Sequence, residues 1–209
     1  MPAQPKCMPV AKPTYLPPKT MPLHLFTIGW QSCGAKYQHN FDKLIDYGPL
    51  CVSARAAITS KAMTGGSLIW FDARGYHNPY NKRALAYWHC GEHFEIMTRL
   101  THHEEFPVFL HNLKDWMADI EIAHSPEMQA RKNRAAFVST SGTHMSVACA
   151  RIAFEVLIRC GFNAMEPRHL SYGTWVKRNL CSKCDECNVQ NPNKAAFFDW
   201  CYVTLMNLQ

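Results

Sequence analysis

A strand that passes through a glycine turn into an almost wholly apolar helix is the feature that most constrains this fold. Residues 135–138 are apolar and predict a buried strand, and a helix is predicted over 144–159. Three charged residues interrupt that helix, four apart along one stripe where they can pair: Arg151, Glu155 and Arg159. A helix that is apolar on nearly every side packs between two layers, so we expect a layered domain.

Further strands and helices are predicted on both sides of this unit. Strands are expected at 23–28, 67–72 and 163–169, and helices at about 84–100 and 106–121. Gly161 is expected to end the apolar helix. Strands that alternate with helices predict an α/β fold, with a mainly parallel sheet and helices on both of its faces.

The two ends of the chain differ from this central region. Prolines stand at positions 2, 5, 9, 13, 17, 18 and 22, which predicts an extended Pro-rich N-terminal arm over 1–22. Such an arm is either disordered or lies across a neighbouring surface. After Ser171 the chain becomes rich in cysteine and asparagine. We therefore divide it into the arm (1–22), an α/β domain (23–170) and a Cys-rich C-terminal extension (171–209).

The turn between the strand and the apolar helix is a candidate anion site. Backbone N–H groups at the start of a helix, and its dipole, favour negative charge. The hydroxyls of residues 139–146 and the imidazole of His144 add further donors around Gly142. This pattern suits phosphate or sulfate. An ordinary β–α connection, which also needs small residues, remains the alternative.

The order of the motifs over about 67–169 resembles the C-terminal domain of the RNase adapter protein RapZ. That family has a strand ending in Asp-x-Arg, an Asn-Pro turn, a loop of the form G-C-T-G-G-x-H-R-S before an apolar helix, and an Arg-His pair. The matching residues are Asp72, Arg74, Asn78, Pro79, the loop 139–146, Arg168 and His169. Met145 stands where the family has the loop arginine, and Ser139 and Ser141 replace its cysteine and first glycine.

The resemblance implies a binding domain rather than a catalytic one. It implies contact with RNA and with an amino-sugar phosphate, on a fold similar to a subdomain of a sugar-phosphate enzyme. The family's N-terminal P-loop has no counterpart here, so nucleotide hydrolysis is not expected. The ligand-binding residues carried over are Asp72, Arg74, Thr140, Gly142, Thr143, His144, Ser146 and His169.

Three cysteines in the C-terminal extension form the sharpest metal motif. Cys181, Cys184 and Cys187 are spaced so that one short loop can bring three thiolates round an ion. Cys201 is the predicted fourth ligand, with His169 or a residue of the 89–93 segment as alternatives. Zinc is the first candidate and an iron–sulfur cluster the second. An exposed cysteine-rich tail without an ion remains possible on the sequence alone.

Basic and aromatic residues interleave at 76–83 and 172–178, as expected where bases stack and phosphates are neutralised. The alternative is a pair of loops whose aromatic rings pack inward. The predicted RNA-binding residues are Tyr76, Tyr80, Lys82, Arg83, Arg168, Lys177 and Arg178.

Charge and composition fit a binding subunit. The net charge of +6 is compatible with RNA or a phosphorylated ligand, and charged residues make up only 18% of the chain, which suggests a surface covered by other protein subunits. Asp72, His144 and His169 could form an acid–base set, but their spacing specifies no reaction. We expect a non-catalytic RNA-binding adapter or ribonucleoprotein subunit. The alternatives are a phosphate sensor or an enzyme acting on a sugar phosphate or nucleotide, and a purely structural protein-binding subunit.

The cysteines and the apolar segments bear on the compartment. Ten cysteines without the spacing of a disulfide scaffold indicate a reducing compartment, either cytoplasm or an organelle matrix such as that of mitochondria. No signal peptide is recognisable, so secretion is not expected. No apolar run is long enough to predict a membrane span.

Overall fold

The computed structural model describes residues 19–29, 68–76, 83–123, 133–181, 184–188 and 190–208. This part of the chain has an α/β fold. Its strands are β1 (Lys19–Gly29), β2 (Leu68–Asp72), β3 (Arg134–Ser139), β4 (Phe162–Ala164) and β5 (Arg168–His169). Its helices are α1 (Arg83–Trp88), α2 (Phe94–Leu100), α3 (Phe106–Ile122), α4 (Met145–Arg159), α5 (Tyr172–Lys177) and α6 (Pro192–Met206).

The strands form one parallel sheet in the order β2-β3-β1-β4, with β5 also paired to β1. The predicted α/β class and mainly parallel sheet are confirmed. Since every strand runs the same way, the segments that leave β1, β2, β3 and β5 emerge at one edge of the sheet. The loop after β3 and the Asp72–Arg74 turn after β2 therefore lie at the same edge.

The first strand begins at Lys19 rather than at Leu23, so the last residues of the predicted N-terminal arm belong to the sheet. Pro22 is tolerated there because the pairing of β1 with β4 changes register between Lys19 and Leu23, and pairing with β3 begins only at His24. The Pro22 carbonyl accepts a hydrogen bond from Asn133 Nδ2 at 3.1 Å. Residues 1–18 of the predicted arm lie outside the described residues.

The prediction of one continuous helix over 84–100 is wrong, because the structure has two helices there, α1 and α2. The break covers residues 89–93 and is called the 89–93 break below. Gly91 lies so close to the start of α4 that a Cβ there would stand 2.1 Å from the His144 carbonyl oxygen. His93 caps α2, since its Nδ1 accepts a hydrogen bond from the Glu95 N–H at 3.2 Å. A close backbone approach and a cap replace the helical turn that periodicity alone predicts.

Helix α4 is the central element of the core, as its apolar sequence predicts. It packs on β1, β3 and β4 on one side and on α2 and α6 on the other. Its charged stripe pairs as expected, with Arg159 Nη1 at 2.8 Å from Glu155 Oε2 and Arg151 Nη1 at 3.9 Å from Glu155 Oε1. Gly161 follows the helix with a φ of 79°, a conformation that favours glycine.

The other predicted helices and strands differ from the structure only in their bounds. Helix α3 extends to Ile122, and the strand predicted over 163–169 is two short strands, β4 and β5. In the described ranges, no helix combines the length and the apolar character that crossing a bilayer requires.

Candidate metal centre and glycine loop

Three cysteines of the C-terminal extension meet a histidine from the 89–93 break. The side-chain ligand atoms of His89, Cys181, Cys184 and Cys187 all lie within 4.8 Å of one another. His89 Nδ1 is 3.4 Å from Cys187 Sγ and 3.7 Å from Cys184 Sγ. This group of four residues is called the Cys₃His cluster below.

Backbone hydrogen bonds position the cluster from both sides. The N–H groups of Cys187 and Asn188 donate to the Cys184 carbonyl at 2.9 and 2.8 Å, which closes a tight turn and brings two thiols together. The Cys181 N–H donates to the Trp88 carbonyl at 2.7 Å, and the Phe94 N–H donates to the Glu186 carbonyl at 2.8 Å. The cysteine loop is therefore attached to the chain on each side of the 89–93 break.

The spacing of the ligand atoms suits a tetrahedral metal ion. Zinc–sulfur bonds of about 2.3 Å and zinc–nitrogen bonds of about 2.0–2.1 Å place tetrahedral sulfur and nitrogen atoms about 3.5 Å apart. The two measured sulfur–nitrogen distances lie on either side of that value. The cluster is therefore compatible with a bound metal ion held by four protein ligands.

The environment of Cys187 disfavours its thiolate form. Cys187 is only 2% exposed. A hydrogen bond with Cys90, burial and the nearby Cys184 together raise the pKa of the Cys187 thiol. Burial and the adjacent His89 lower the pKa of His93 to about 4, so that imidazole is neutral at pH 7. A divalent cation would stabilise the Cys187 thiolate that this environment otherwise disfavours.

The two other candidates for the fourth ligand lie elsewhere. Cys201 belongs to α6, is fully buried in the main apolar core, and burial raises its pKa to about 12. His169 instead has its Nδ1 at 2.9 Å from the Thr27 hydroxyl and its Nε2 at 3.6 Å from Glu92 Oε1. The ligand that completes the cluster is His89, from the 89–93 segment that the sequence left as an alternative source.

The glycine loop between β3 and α4 directs most of its hydroxyls inward. Ser139 Oγ lies 2.8 Å from Ser146 Oγ and accepts a hydrogen bond from the Gly142 N–H at 3.1 Å. Thr143 and Ser146 are fully buried. Gly142 has a φ of 67°, and its Cα packs against the backbone of Gly29. The hydroxyls of Thr143 and Ser146 thus bond to other loop hydroxyls, and Gly142 packs against Gly29.

A cavity of about 230 Å³ remains beside this loop. Of the predicted ligand-binding residues, Arg74, Thr140 and His144 line it, and the nearly buried Met145 forms part of its wall. His144 Nε2 lies 3.0 Å from the His89 carbonyl oxygen, to which an Nε2–H donates. Asp72 accepts three hydrogen bonds from the Arg74 guanidinium, so this cation beside the cavity already has a carboxylate partner.

The predicted RNA-binding residues divide into buried, exposed and undescribed groups. Tyr76 is 8% exposed and its hydroxyl donates to the Glu105 carbonyl at 3.1 Å, so its ring packs inward. Arg168, Lys177 and Arg178 are exposed. Tyr80, Lys82 and the side chain of Arg83 lie outside the described residues. Tyr172, the first residue of the predicted 172–178 segment, is exposed. Exposed aromatic side chains outside the two predicted segments are Tyr87, Trp88 and Trp200.

Comparison of the chain with protein-family models, with curated proteins and with solved structures finds no match.

Substitution of Gly142 by alanine should destabilise the fold. A Cβ at this position would lie 2.4 Å from the Gly29 nitrogen, and the positive φ adds strain. We expect Gly142→Ala to lower the free energy of unfolding by about 2–4 kcal/mol. Gly173→Ala is the matched control, because open space surrounds that position; its effect should be no more than about 1 kcal/mol in either direction. Equal effects in urea unfolding would contradict the close Gly29–Gly142 contact.

Removal of His89 should abolish stable metal binding. We expect the wild-type chain to hold one divalent metal ion, and His89→Ala to lose it during dialysis against a chelator because an incomplete ligand set binds weakly. Cys201→Ala should retain the ion, since Cys201 lies in the core. Elemental analysis of the dialysed proteins provides the measurement. Retention by His89→Ala together with loss by Cys201→Ala would restore Cys201 as the fourth ligand.

Proposed function

We propose that the protein is a non-catalytic RNA-binding adapter or ribonucleoprotein subunit, in which a structural zinc ion holds the C-terminal extension against the α/β domain. The observation that carries this proposal is the group of exposed aromatic and basic side chains next to the Cys₃His cluster. We call this group the aromatic–basic surface; its members are Tyr87, Trp88, Tyr172, Lys177 and Arg178.

The ligand set favours zinc over an iron–sulfur cluster. Three cysteines and one histidine are a common structural zinc set, whereas iron–sulfur clusters mostly take four thiolates or, in the Rieske type, two histidines. A set of four protein ligands leaves no open position for substrate or water. The proposed role of the ion is therefore structural. The same free thiols favour a reducing compartment, cytoplasm or an organelle matrix.

The aromatic–basic surface adjoins the cluster through short backbone connections. Trp88 ends α1 immediately before His89, and its carbonyl accepts from the Cys181 N–H. On the other side, Trp175 anchors α5: its ring is buried, and its Nε1–H donates to the Gly142 carbonyl at 3.2 Å. Tyr172, whose ring contacts that of Trp175, is exposed at the start of α5, and Lys177 is exposed at its end.

These side chains suit single-stranded RNA. Exposed aromatic rings provide stacking platforms for unpaired bases, each contributing about 1–3 kcal/mol. Lysine and arginine beside them neutralise phosphates, and the net charge of +6 acts in the same direction. Tyr87 and Trp88 are 60% and 54% exposed, so more than half of each residue's surface is accessible to solvent and to a bound base.

A phosphorylated small ligand at the glycine loop has less support. Most hydroxyls of the loop bond to one another, and the carboxylate of Asp72 already neutralises Arg74. Arg74 would have to exchange that partner for phosphate. A small anion therefore remains a second candidate ligand of the cavity, whereas the exposed surface favours RNA.

The test is binding of a fluorescently labelled, mixed-sequence single-stranded RNA, followed by anisotropy at roughly 50 and 200 mM salt. We expect Trp88→Ala to weaken binding about tenfold through lost stacking. Lys177→Glu combined with Arg178→Glu should weaken it at least as much and flatten the salt dependence, because fewer counterions are released.

Ile122→Ala is the control for this experiment. Ile122 is 63% exposed on α3, outside the aromatic–basic surface, and its removal should leave RNA affinity unchanged. If the wild-type protein shows no salt-dependent binding, or if the three variants behave alike, the RNA proposal fails. The surface would then favour the alternative of a structural, protein-binding subunit.

A further inference from the structure

A buried lysine is hydrogen-bonded to the 89–93 break, the segment that supplies His89 to the Cys₃His cluster. Lys194 is 2% exposed and ranks among the largest fully buried side chains of the described residues. It stands in the first turn of α6, where Asn191 caps the helix by accepting from the Asn193 N–H. Burial and the positive end of the helix dipole both disfavour a cation at this position. An ammonium group there requires compensating negative charge.

Carboxylates do not supply that charge by direct contact. Lys194 Nζ donates to the Glu92 backbone carbonyl at 2.7 Å, and no carboxylate of the described residues forms an ion pair with it. The Glu92 carboxylate is engaged elsewhere, with Arg151 Nη2 at 2.9 Å and His169 Nε2 at 3.6 Å. These partners overcome the cost of burial and lower the pKa of Glu92 to about 2.

The thiols of the cluster are a second source of negative charge. Two hydrogen bonds place Lys194 near these thiols. The Glu92 carbonyl, which accepts from Lys194 Nζ, follows His89 by three residues, and Asn191 Nδ2 at the start of α6 donates to the Asp185 carbonyl, between Cys184 and Cys187, at 3.0 Å. Three thiolates around one divalent ion carry one net negative charge. That charge equals and opposes the charge of one ammonium group. Lys194 and the metal-bound cluster together would therefore carry no net charge.

We propose that Lys194 is the buried counter-charge of the metal centre, a positioning residue that favours ligation by three thiolates. The proposal rests on the zinc centre described under the proposed function. Lys194 is not one of the four ligands of the proposed centre. It stabilises the anionic cluster through space and joins α6 to the 89–93 break through the Glu92 carbonyl. Helix α6, the break and the cysteine loop are in this way linked by charge as well as by packing.

The first measurement is zinc affinity at fixed pH, determined by competition with a chromogenic chelator. Lys194→Gln removes the charge and keeps an N–H donor for the Glu92 carbonyl. We expect it to weaken zinc binding by about tenfold, as is typical of partners outside the ligand shell. Lys114→Gln is the matched control, because Lys114 also donates to a backbone carbonyl, that of Leu208, and should show no change.

A double-mutant cycle separates charge from structure. Cys184→His converts the centre to two thiolates and two neutral imidazoles, which leaves no net charge when zinc is bound. In this background Lys194→Gln should change zinc affinity by less than about threefold. Visible absorption of the cobalt-substituted proteins would verify that each variant keeps a tetrahedral centre. If Lys194→Gln does not fold, Lys194→Met provides a second neutral side chain for the same cycle.

Each outcome bears on a different claim. An equal loss of affinity in both backgrounds, or no loss in the wild-type background, would overturn the counter-charge and leave the zinc centre intact. A wild-type chain that binds no zinc would overturn the centre and the counter-charge together. Loss confined to the three-thiolate background supports the proposal.

Discussion

One imidazole and three thiols meet around a space the size of a single ion. The rest of the structure depends on this constraint. Cys181, Cys184 and Cys187 lie in a segment with little apolar surface of its own, attached to the domain through backbone hydrogen bonds to Trp88 and Phe94. A short polar loop of this kind would gain most of its fixed geometry from the proposed ion. Helix α6 is anchored separately, because Phe198, Cys201 and Leu205 pack in the main core.

The 89–93 break connects this cluster to the centre of the domain. The Gly91 N–H donates to the Thr143 carbonyl at 2.8 Å, and the His89 carbonyl lies 3.0 Å from His144 Nε2. Glu92 pairs with Arg151 on α4, so the break contacts both the glycine loop and the central helix. Rigid elements therefore position His89, which reduces the cost of ordering the proposed metal centre. Trp88, one of the proposed RNA-binding side chains, directly precedes His89 and shares this support.

Sequence reasoning succeeded where the structure is determined by local periodicity and failed where tertiary contacts decide. The β3–α4 unit, the parallel sheet and the pairing of Arg159 with Glu155 follow from spacing alone. The division of the 84–100 helix does not, because Gly91 is required by a close approach to His144, far away along the chain. For the same reason, spacing alone could not choose the fourth member of the cluster among Cys201, His169 and the 89–93 segment. Cys201 is nearer in sequence to the other cysteines, but the apolar face of α6 buries it, and His89 reaches the cluster only through the fold. The loop hydroxyls bond inward because Gly142 must pack on Gly29.

X-ray absorption at the zinc edge of the purified protein tests the central claim most directly, because it counts and identifies the atoms bound to the metal. The proposed centre predicts three sulfur atoms at about 2.3 Å and one nitrogen atom at about 2.0–2.1 Å. A first shell of four sulfur atoms would contradict ligation by His89 and implicate another cysteine. A shell of only nitrogen and oxygen atoms, or a protein that holds no zinc, would contradict the centre itself.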